Sequence, residues 1–101
     1  MMSRVNRRKA KVDSTQKQAV DTLRKLGISV ELGHDDFLAG HGGKTLWVEW
    51  KSDEAISKKT GDILEGSIQP DQKRIRDTFK GAYKITHKVS DILDFFGIKI
   101  Q

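Results

Sequence analysis

The sequence predicts an α/β fold, in which a mixed β-sheet is flanked by helices in the order α-β-β-β-α-β-α. Short runs that are rich in β-branched and aromatic residues alternate apolar and polar side chains, which is typical of strands. Other segments repeat apolar residues at helical spacing, which is typical of amphipathic helices. A chain of 101 residues with 36% hydrophobic residues supports one domain with one modest core.

The first helix is predicted over residues 14–25, where Ser14 is a suitable N-cap and Gly27 a suitable end. Its apolar side chains are expected to face the sheet, and they are Val20, Leu23 and Leu26. A first strand then covers residues 28–32. Its alternating apolar side chains are expected to point inward, and they are Ile28, Val30 and Leu32.

A hairpin is predicted next, because strands over residues 35–39 and 44–51 are separated by a glycine-rich turn. If Gly42 and Gly43 form a two-residue loop, His41 faces Lys44. Counting back along both strands then places Asp36 opposite Glu49. Another turn type would shift this register by a residue or two.

One face of the second hairpin strand holds candidate metal-binding and catalytic side chains. Trp47, Glu49 and Lys51 share that face because side chains two apart point the same way. Carboxylates directly opposite each other have Cβ atoms roughly 5 Å apart and destabilise a sheet. A hard cation such as Mg²⁺ offsets this repulsion, takes carboxylate oxygens and keeps open positions for phosphate. Lys51 lies one step further along the face, where it would orient a water or offset charge on a phosphate.

The second half of the chain predicts a helix, a strand and a helix. Pro70 is well placed to open the first of these helices and Gly81 to close it. Gln72 then lies in the first turn, from which its amide can reach the edge of the sheet. A strand over residues 82–86, parallel to a central strand, and a helix over residues 90–96 with Ser90 as cap follow. Residues 98–100 are a candidate last strand.

Four successive motifs resemble those of one nuclease family. They are Asp36–Gly40 (DFLAG), Val48–Lys51 (VEWK), Gln69–Gln72 (QPDQ) and Gly81 before a strand. In order and spacing they resemble the VRR-NUC family of the PD-(D/E)XK restriction-endonuclease-like superfamily. The resemblance spans residues 14–96. It is strongest to small, stand-alone, phage-type members that are similar to Holliday-junction resolvases.

The resemblance implies a restriction-endonuclease-like fold and a Mg²⁺-dependent endonuclease, with Mn²⁺ able to substitute. It implies branched, Holliday-junction-like DNA as substrate and a homodimer as the assembly. Asp36 and Glu49 would hold the metal together with the Trp50 carbonyl, Lys51 would be catalytic, and Gln72 would support the site. Two auxiliary positions depart from the family: Asp35 stands where the superfamily often has proline, and Gln16 where the family tends to have glutamate.

The excess of positive charge is concentrated at the amino end of the chain. Residues 1–27 hold eight Lys or Arg against two Asp, a balance of +6, and the remaining residues hold eleven against twelve, or −1. We expect residues 1–13 to form a flexible basic arm that binds a phosphate backbone; a solvated terminus with no such role is the alternative. The expected nucleic-acid contacts are Arg7, Arg8, Lys9, Lys11, Lys58, Lys59, Lys73 and Arg76.

A long connection, residues 52–67, separates the Glu49 strand from the Gln72 helix. Connections of this length are often functional or disordered, so it is interpreted as a mobile flap over nucleic acid, or as an insertion without a role. The chain has no cysteine and no apolar run of membrane-spanning length, which favours a soluble, cytoplasmic protein without membrane partners. Phage encoding, with action in the host cell, is what the resemblance implies. The three histidines are too scattered for a zinc site.

Two other functions remain open from the residues alone. A basic nucleic-acid-binding module would keep the fold without cleaving; Gln16 favours it, and the intact set of Asp36, Glu49 and Lys51 argues against it. An RNA-directed enzyme on the same scaffold is the second alternative. The sequence does not exclude it, because no residue pattern indicates whether a 2′-hydroxyl is recognised.

Overall fold

A computed structural model describes residues 15–33 and 36–99 of the chain. The fold is α/β, with the predicted order α-β-β-β-α-β-α. The elements are α1 (residues 15–25), β1 (Ser29–Leu32), β2 (Phe37–His41), β3 (Lys44–Trp50), α2 (Pro70–Thr78), β4 (Tyr83–Thr86) and α3 (Val89–Phe96). Two short 3-10 turns, Asp53–Ala55 and Glu65–Ser67, lie between β3 and α2. Within these residues, no helix has the length and apolar character needed to cross a membrane.

The four strands form one mixed sheet in the order β1-β2-β3-β4. β1, β2 and β3 pair antiparallel, whereas β4 pairs parallel to β3, as predicted. The β2–β3 turn consists of Gly42 and Gly43, whose positive φ angles of 60° and 81° suit a two-residue hairpin loop. His41 therefore pairs with Lys44, and the predicted register is confirmed. A slip of one residue would have turned every side chain of the strand to the other face.

One face of the sheet, the inner face, is covered by α1 and α3. Its core includes fully buried side chains from both helices and the central strands: Leu23, Phe37, Leu46, Val48 and Ile92. Two apolar side chains that were predicted to pack inward are exposed. Leu26 is 39% exposed because it follows the end of α1, where the chain turns at Gly27. Leu32 is 60% exposed because it ends the edge strand β1.

β2 and α2 differ most from their predicted ends, whereas β1, β3 and β4 each differ by one residue at one end. β2 begins at Phe37, two residues later than expected, and α2 ends at Thr78, before Gly81. The helix stops because Phe79 adopts an extended backbone and its ring packs edge-to-face on Trp47, 5.1 Å between centroids.

α3 also begins differently, at Val89 rather than with Ser90 as its cap. The N-cap residue is Lys88, and it makes no side-chain capping bond. The Thr86 hydroxyl instead joins the end of β4 to the start of the helix, because it accepts a hydrogen bond from the Lys88 N–H at 3.0 Å and donates one to Asp91 at 2.6 Å. Residues 98 and 99 are not a strand, and Ile100, Ser14 and His34 lie outside the described residues.

The connection over residues 52–67 has a structure of its own. Ile56 and Ile63 form a β-bridge, and the hydroxyl of Ser57 accepts hydrogen bonds from the N–H groups of Lys59 and Thr60, both at 3.2 Å. Ala55 within this region and Ile68 directly after it are buried. Lys58 and Lys59 therefore lie in a hydrogen-bonded turn, and closure of the segment over nucleic acid stays a prediction.

Candidate active site

The candidate site lies on the outer face of the sheet, opposite the α1–α3 core. The strand register aligns its side chains in two rows across the sheet. The first row consists of Glu31, Leu38, Trp47 and Tyr83. In the second, Asp36 is opposite Glu49 because the adjacent pair is Phe37–Val48, and Glu49 in turn pairs with Ile85. The register therefore brings the two predicted carboxylates to neighbouring positions.

The Asp36 carboxylate is fixed by contacts to both oxygens. Trp47 Nε1 donates a hydrogen bond of 2.5 Å to Asp36 Oδ2. The other oxygen, Oδ1, rests against the backbone of Gly33, where a Cβ atom would come within 2.3 Å of it. The Gly33 N–H also donates to the Asp36 carbonyl at 2.8 Å. Asp36 thus presents its carboxylate in a defined orientation at the edge of an open groove of about 400 Å³.

Glu49 is the more deeply placed of the two carboxylates. Its side chain is only 9% exposed, on the central strand β3. Because burial of a carboxylate costs free energy, such groups in proteins are paired, hydrogen-bonded or metal-bound. The depth of Glu49 is a reason to regard it as a functional residue rather than as part of a solvated sheet face.

Lys51 and Gln72 meet at the edge of the site, although they are far apart in sequence. Lys51 Nζ donates hydrogen bonds of 2.9 Å to Gln72 Oε1 and to the carbonyl of Ser67. Gln72 Oε1 also accepts from the Gln69 N–H at 3.0 Å, which fixes the amide at the start of α2. These bonds use two of the three N–H donors of the ammonium group. The predicted reach of Gln72 to the sheet edge is confirmed, and the Ser67 carbonyl is a partner that the sequence did not reveal.

Tyr83 is a further residue of this face that the sequence did not single out. Its ring packs edge-to-face on Trp47, with 5.1 Å between centroids. Burial raises the pKa of Tyr83 to about 12, and the negative charges of Glu49 and then Asp36 add to this, whereas Arg76 lowers it. Tyr83 is therefore close enough to both carboxylates to sense their charge, and its phenol stays protonated at neutral pH.

The titration of Tyr83 can be measured directly, because it is the only tyrosine in the chain. We expect the ultraviolet absorbance of tyrosinate to appear with a midpoint near pH 12 in the folded protein, above the ordinary value of 10.0. A raised pKa means that the folded state holds the proton more tightly, so this stabilisation is complete below pH 10 and is lost as pH rises to 12. Melting temperatures should accordingly fall more steeply over that window in the wild type than in Tyr83→Phe. A midpoint near 10 in the folded protein would contradict this placement of Tyr83.

Two other predicted site residues lie apart from the carboxylates. The Trp50 side chain packs against the core, and its Nε1 donates to the Thr15 hydroxyl at 3.3 Å, so only its carbonyl remains a candidate ligand. Gln16 is half-buried on α1 and lines a second groove of about 310 Å³. That groove and the Asp36 groove share Leu32.

The predicted nucleic-acid contacts are placed only in part. Lys58 and Lys59 are exposed. Lys73 and Arg76 of α2 both approach Glu65, at 3.5 and 3.7 Å, so part of their charge is offset. The remaining predicted contacts and the auxiliary Asp35 lie outside the described residues, and these are Arg7, Arg8, Lys9, Lys11 and Asp35.

The side chains that could bind a metal indicate which metal the site suits. Residues 15–33 and 36–99 contain no group of three or more His, Cys, Asp or Glu side chains placed to hold an ion. A zinc site that is closed by protein ligands therefore does not occur among them. Two neighbouring carboxylates fit Mg²⁺ better, since this ion is usually bound through one or two carboxylates, several waters and substrate phosphate.

No family model, curated protein or solved structure matches the chain. The resemblance to VRR-NUC nucleases therefore remains a prediction from the sequence motifs. The assignment of function depends on those motifs and on the geometry of Asp36, Glu49, Lys51 and Gln72.

Proposed function

We propose that the protein is a metal-dependent endonuclease that hydrolyses DNA phosphodiester bonds, as its resemblance to VRR-NUC nucleases implies. The main support for this proposal is that two distant parts of the chain meet at one edge of the sheet. Lys51, two residues from the buried Glu49, is hydrogen-bonded to Gln72 of α2, and Asp36 is opposite Glu49. A solvated sheet face needs neither the burial of Glu49 nor a bond between Lys51 and a distant helix.

The donor groups of the site fit a hard divalent cation. The carboxylates of Asp36 and Glu49 would hold Mg²⁺, with the Trp50 carbonyl as a further ligand. Mn²⁺ should substitute, because carboxylate, carbonyl and water oxygens suit it as well. When bound, the cation would supply polarisation of the scissile phosphate and a lowered pKa for the attacking water.

The residues of the chain have separate tasks in this proposal. Trp47 and Gly33 hold the Asp36 carboxylate in one orientation. Gln72 and the Ser67 carbonyl hold Lys51. Its third N–H would be available to substrate, where it would orient the water or stabilise charge that develops on the phosphate. Because these groups are fixed before substrate arrives, little reorganisation is needed during the reaction.

The proposed substrate is branched DNA, and the proposed assembly is a homodimer that places two sites across a junction. Both follow from the resemblance. The charge balance of +6 in residues 1–27 supports attraction to a phosphate backbone, with an affinity that falls as salt rises. The proposed place of action is the cytoplasm, that of a host cell if the protein is phage-encoded.

The proposal is tested by cleavage of labelled DNA with the purified full chain. Four-way-junction, flap, linear-duplex and single-stranded DNA, and RNA of the same sequences, are incubated with Mg²⁺, Mn²⁺ or EDTA. We expect both metals to support cutting of the branched DNA, EDTA to stop it, and Asp36→Asn to remove it while binding persists. Asparagine keeps the size of the side chain but removes the negative charge that holds the cation.

Other outcomes of this experiment would point to the alternatives. Tight, salt-sensitive binding without cutting under either metal would indicate the noncatalytic binding module, and Gln16→Glu would then be the next variant. Preferential cutting of RNA would indicate an RNA-directed enzyme. Both results would contradict the proposed DNA endonuclease.

A further inference from the structure

The hydroxyl group of Tyr83 is buried and has no hydrogen-bond partner among residues 15–33 and 36–99. Leaving such a group without a partner costs free energy that a hydrogen-bonded hydroxyl does not lose. Phenylalanine would make the same ring contact with Trp47 without that cost. A buried hydroxyl without a partner among the described residues can take a hydrogen bond from a water molecule that the site binds.

The position of Tyr83 indicates which partner this is. Tyr83 pairs with Trp47 across β3 and β4, and the indole of Trp47 is itself hydrogen-bonded to Asp36. The carboxylates of Glu49 and Asp36 are the negative groups whose charges act on the phenol. Tyr83 therefore lies on the same face of the sheet as the two proposed cation ligands, and its neighbour Trp47 contacts one of them.

We propose that the Tyr83 hydroxyl supports the cation site by accepting a hydrogen bond from a water molecule bound to the divalent cation. This inference rests on the proposed function, because it presupposes a cation at Asp36 and Glu49. Waters that bind a cation direct their oxygen atoms towards it and their hydrogen atoms outward, so a nearby neutral oxygen is a suitable acceptor. The raised pKa keeps the phenol neutral, and Tyr83 thus adds no charge to the site.

Partners of this kind act on metal affinity as well as on rate. Their removal typically weakens binding or activity by 10- to 100-fold, because the ligands and waters lose orientation. Tyr83 is a positioning residue in this scheme, since it touches neither the phosphate nor the proposed ligands. Its effect should therefore appear in the absence of DNA.

The test is Mn²⁺ binding to the full chain, measured by calorimetry or by electron paramagnetic resonance, for wild type, Tyr83→Phe and Asp36→Asn. We expect Tyr83→Phe to weaken Mn²⁺ binding by about tenfold. Its melting temperature without metal should equal or exceed that of the wild type, because the variant removes an unpaired buried hydroxyl. This combination separates a role at the cation from a role in packing.

Three results would overturn the inference in different ways. Unchanged Mn²⁺ affinity in Tyr83→Phe, with affinity lost in Asp36→Asn, would remove Tyr83 from the site and leave the proposed function standing. A variant destabilised without metal would show that the hydroxyl has a structural role in the fold. Absence of Mn²⁺ binding in the wild type would remove the cation site itself, and with it both proposals.

Discussion

Replacing Lys51 with alanine is expected to slow metal-dependent DNA cleavage by about 10³-fold, the upper range for loss of one donor that stabilises transition-state charge. The ammonium group is held by Gln72 and the Ser67 carbonyl at 2.9 Å each, and alanine leaves nothing in its place. Single-turnover cleavage of the best branched substrate measures the chemical step. DNA affinity should change little, because the basic charge outside the site is retained.

A matched lysine is available as a control for the Lys51 experiment. Lys84 lies on the neighbouring strand β4 but pairs with Val48, one residue out of phase with Glu49, so it points away from the carboxylate face. Lys84→Ala should cleave at nearly the wild-type rate. Equal rates for Lys51→Ala and Lys84→Ala would contradict a catalytic role for Lys51. Gln72→Ala should fall between the two, since it loosens Lys51 without removing the ammonium group.

The sequence predicts those positions of the site that are determined by turn and helix-start signals nearby in the chain. The two glycines of the β2–β3 turn fix the hairpin register, and the register alone places Asp36 opposite Glu49. Pro70 begins α2, which puts Gln72 in its first turn, on the side that reaches Lys51. In both cases a turn or helix-start signal within a few residues determines where the functional side chain lies.

The contacts that orient the site could not be read from the sequence, because each joins segments that are distant along the chain. Alternation along β3 shows that Trp47 shares a face with Glu49, but it does not show that the indole bonds to Asp36. Tyr83 has the right parity on β4, yet only the parallel pairing brings it beside Trp47. The Ser67 carbonyl carries no sequence signal, since every residue has one.

The incorrect predictions of the fold fall at the ends of elements, where tertiary contacts compete with local pattern. Phe79 has the spacing of a helical apolar stripe with Ile75, but its ring leaves α2 to pack on Trp47. In residues 52–67 there is no periodicity to read. Their order comes from bonds such as those to the Ser57 hydroxyl, which depend on the exact turn rather than on composition.

Gly33→Ala is expected to reduce cleavage by about 10²-fold, the scale of loss when a catalytic group is misplaced by about 1 Å. A Cβ atom at residue 33 would lie 2.3 Å from Asp36 Oδ1 and 3.3 Å from the Asp36 carbonyl. We therefore expect the carboxylate to move and its hydrogen bond from Trp47 to weaken. The effect arises from close approach, since Gly33 is not among the glycines with positive φ.

Gly40→Ala is the matched control, because Gly40 also lacks a positive φ and its added Cβ would meet only the Lys44 carbonyl, at an ordinary 3.6 Å. Cleavage rates and Mn²⁺ affinities are compared at a temperature where both variants give the circular dichroism of the wild type. We expect Gly33→Ala alone to lose rate and affinity together, since the carboxylate that moves is the one proposed to hold the cation. Equal behaviour of the two variants would show that the orientation of Asp36 at Gly33 has no part in catalysis, and Asp36→Asn alone would then decide whether the carboxylate is needed.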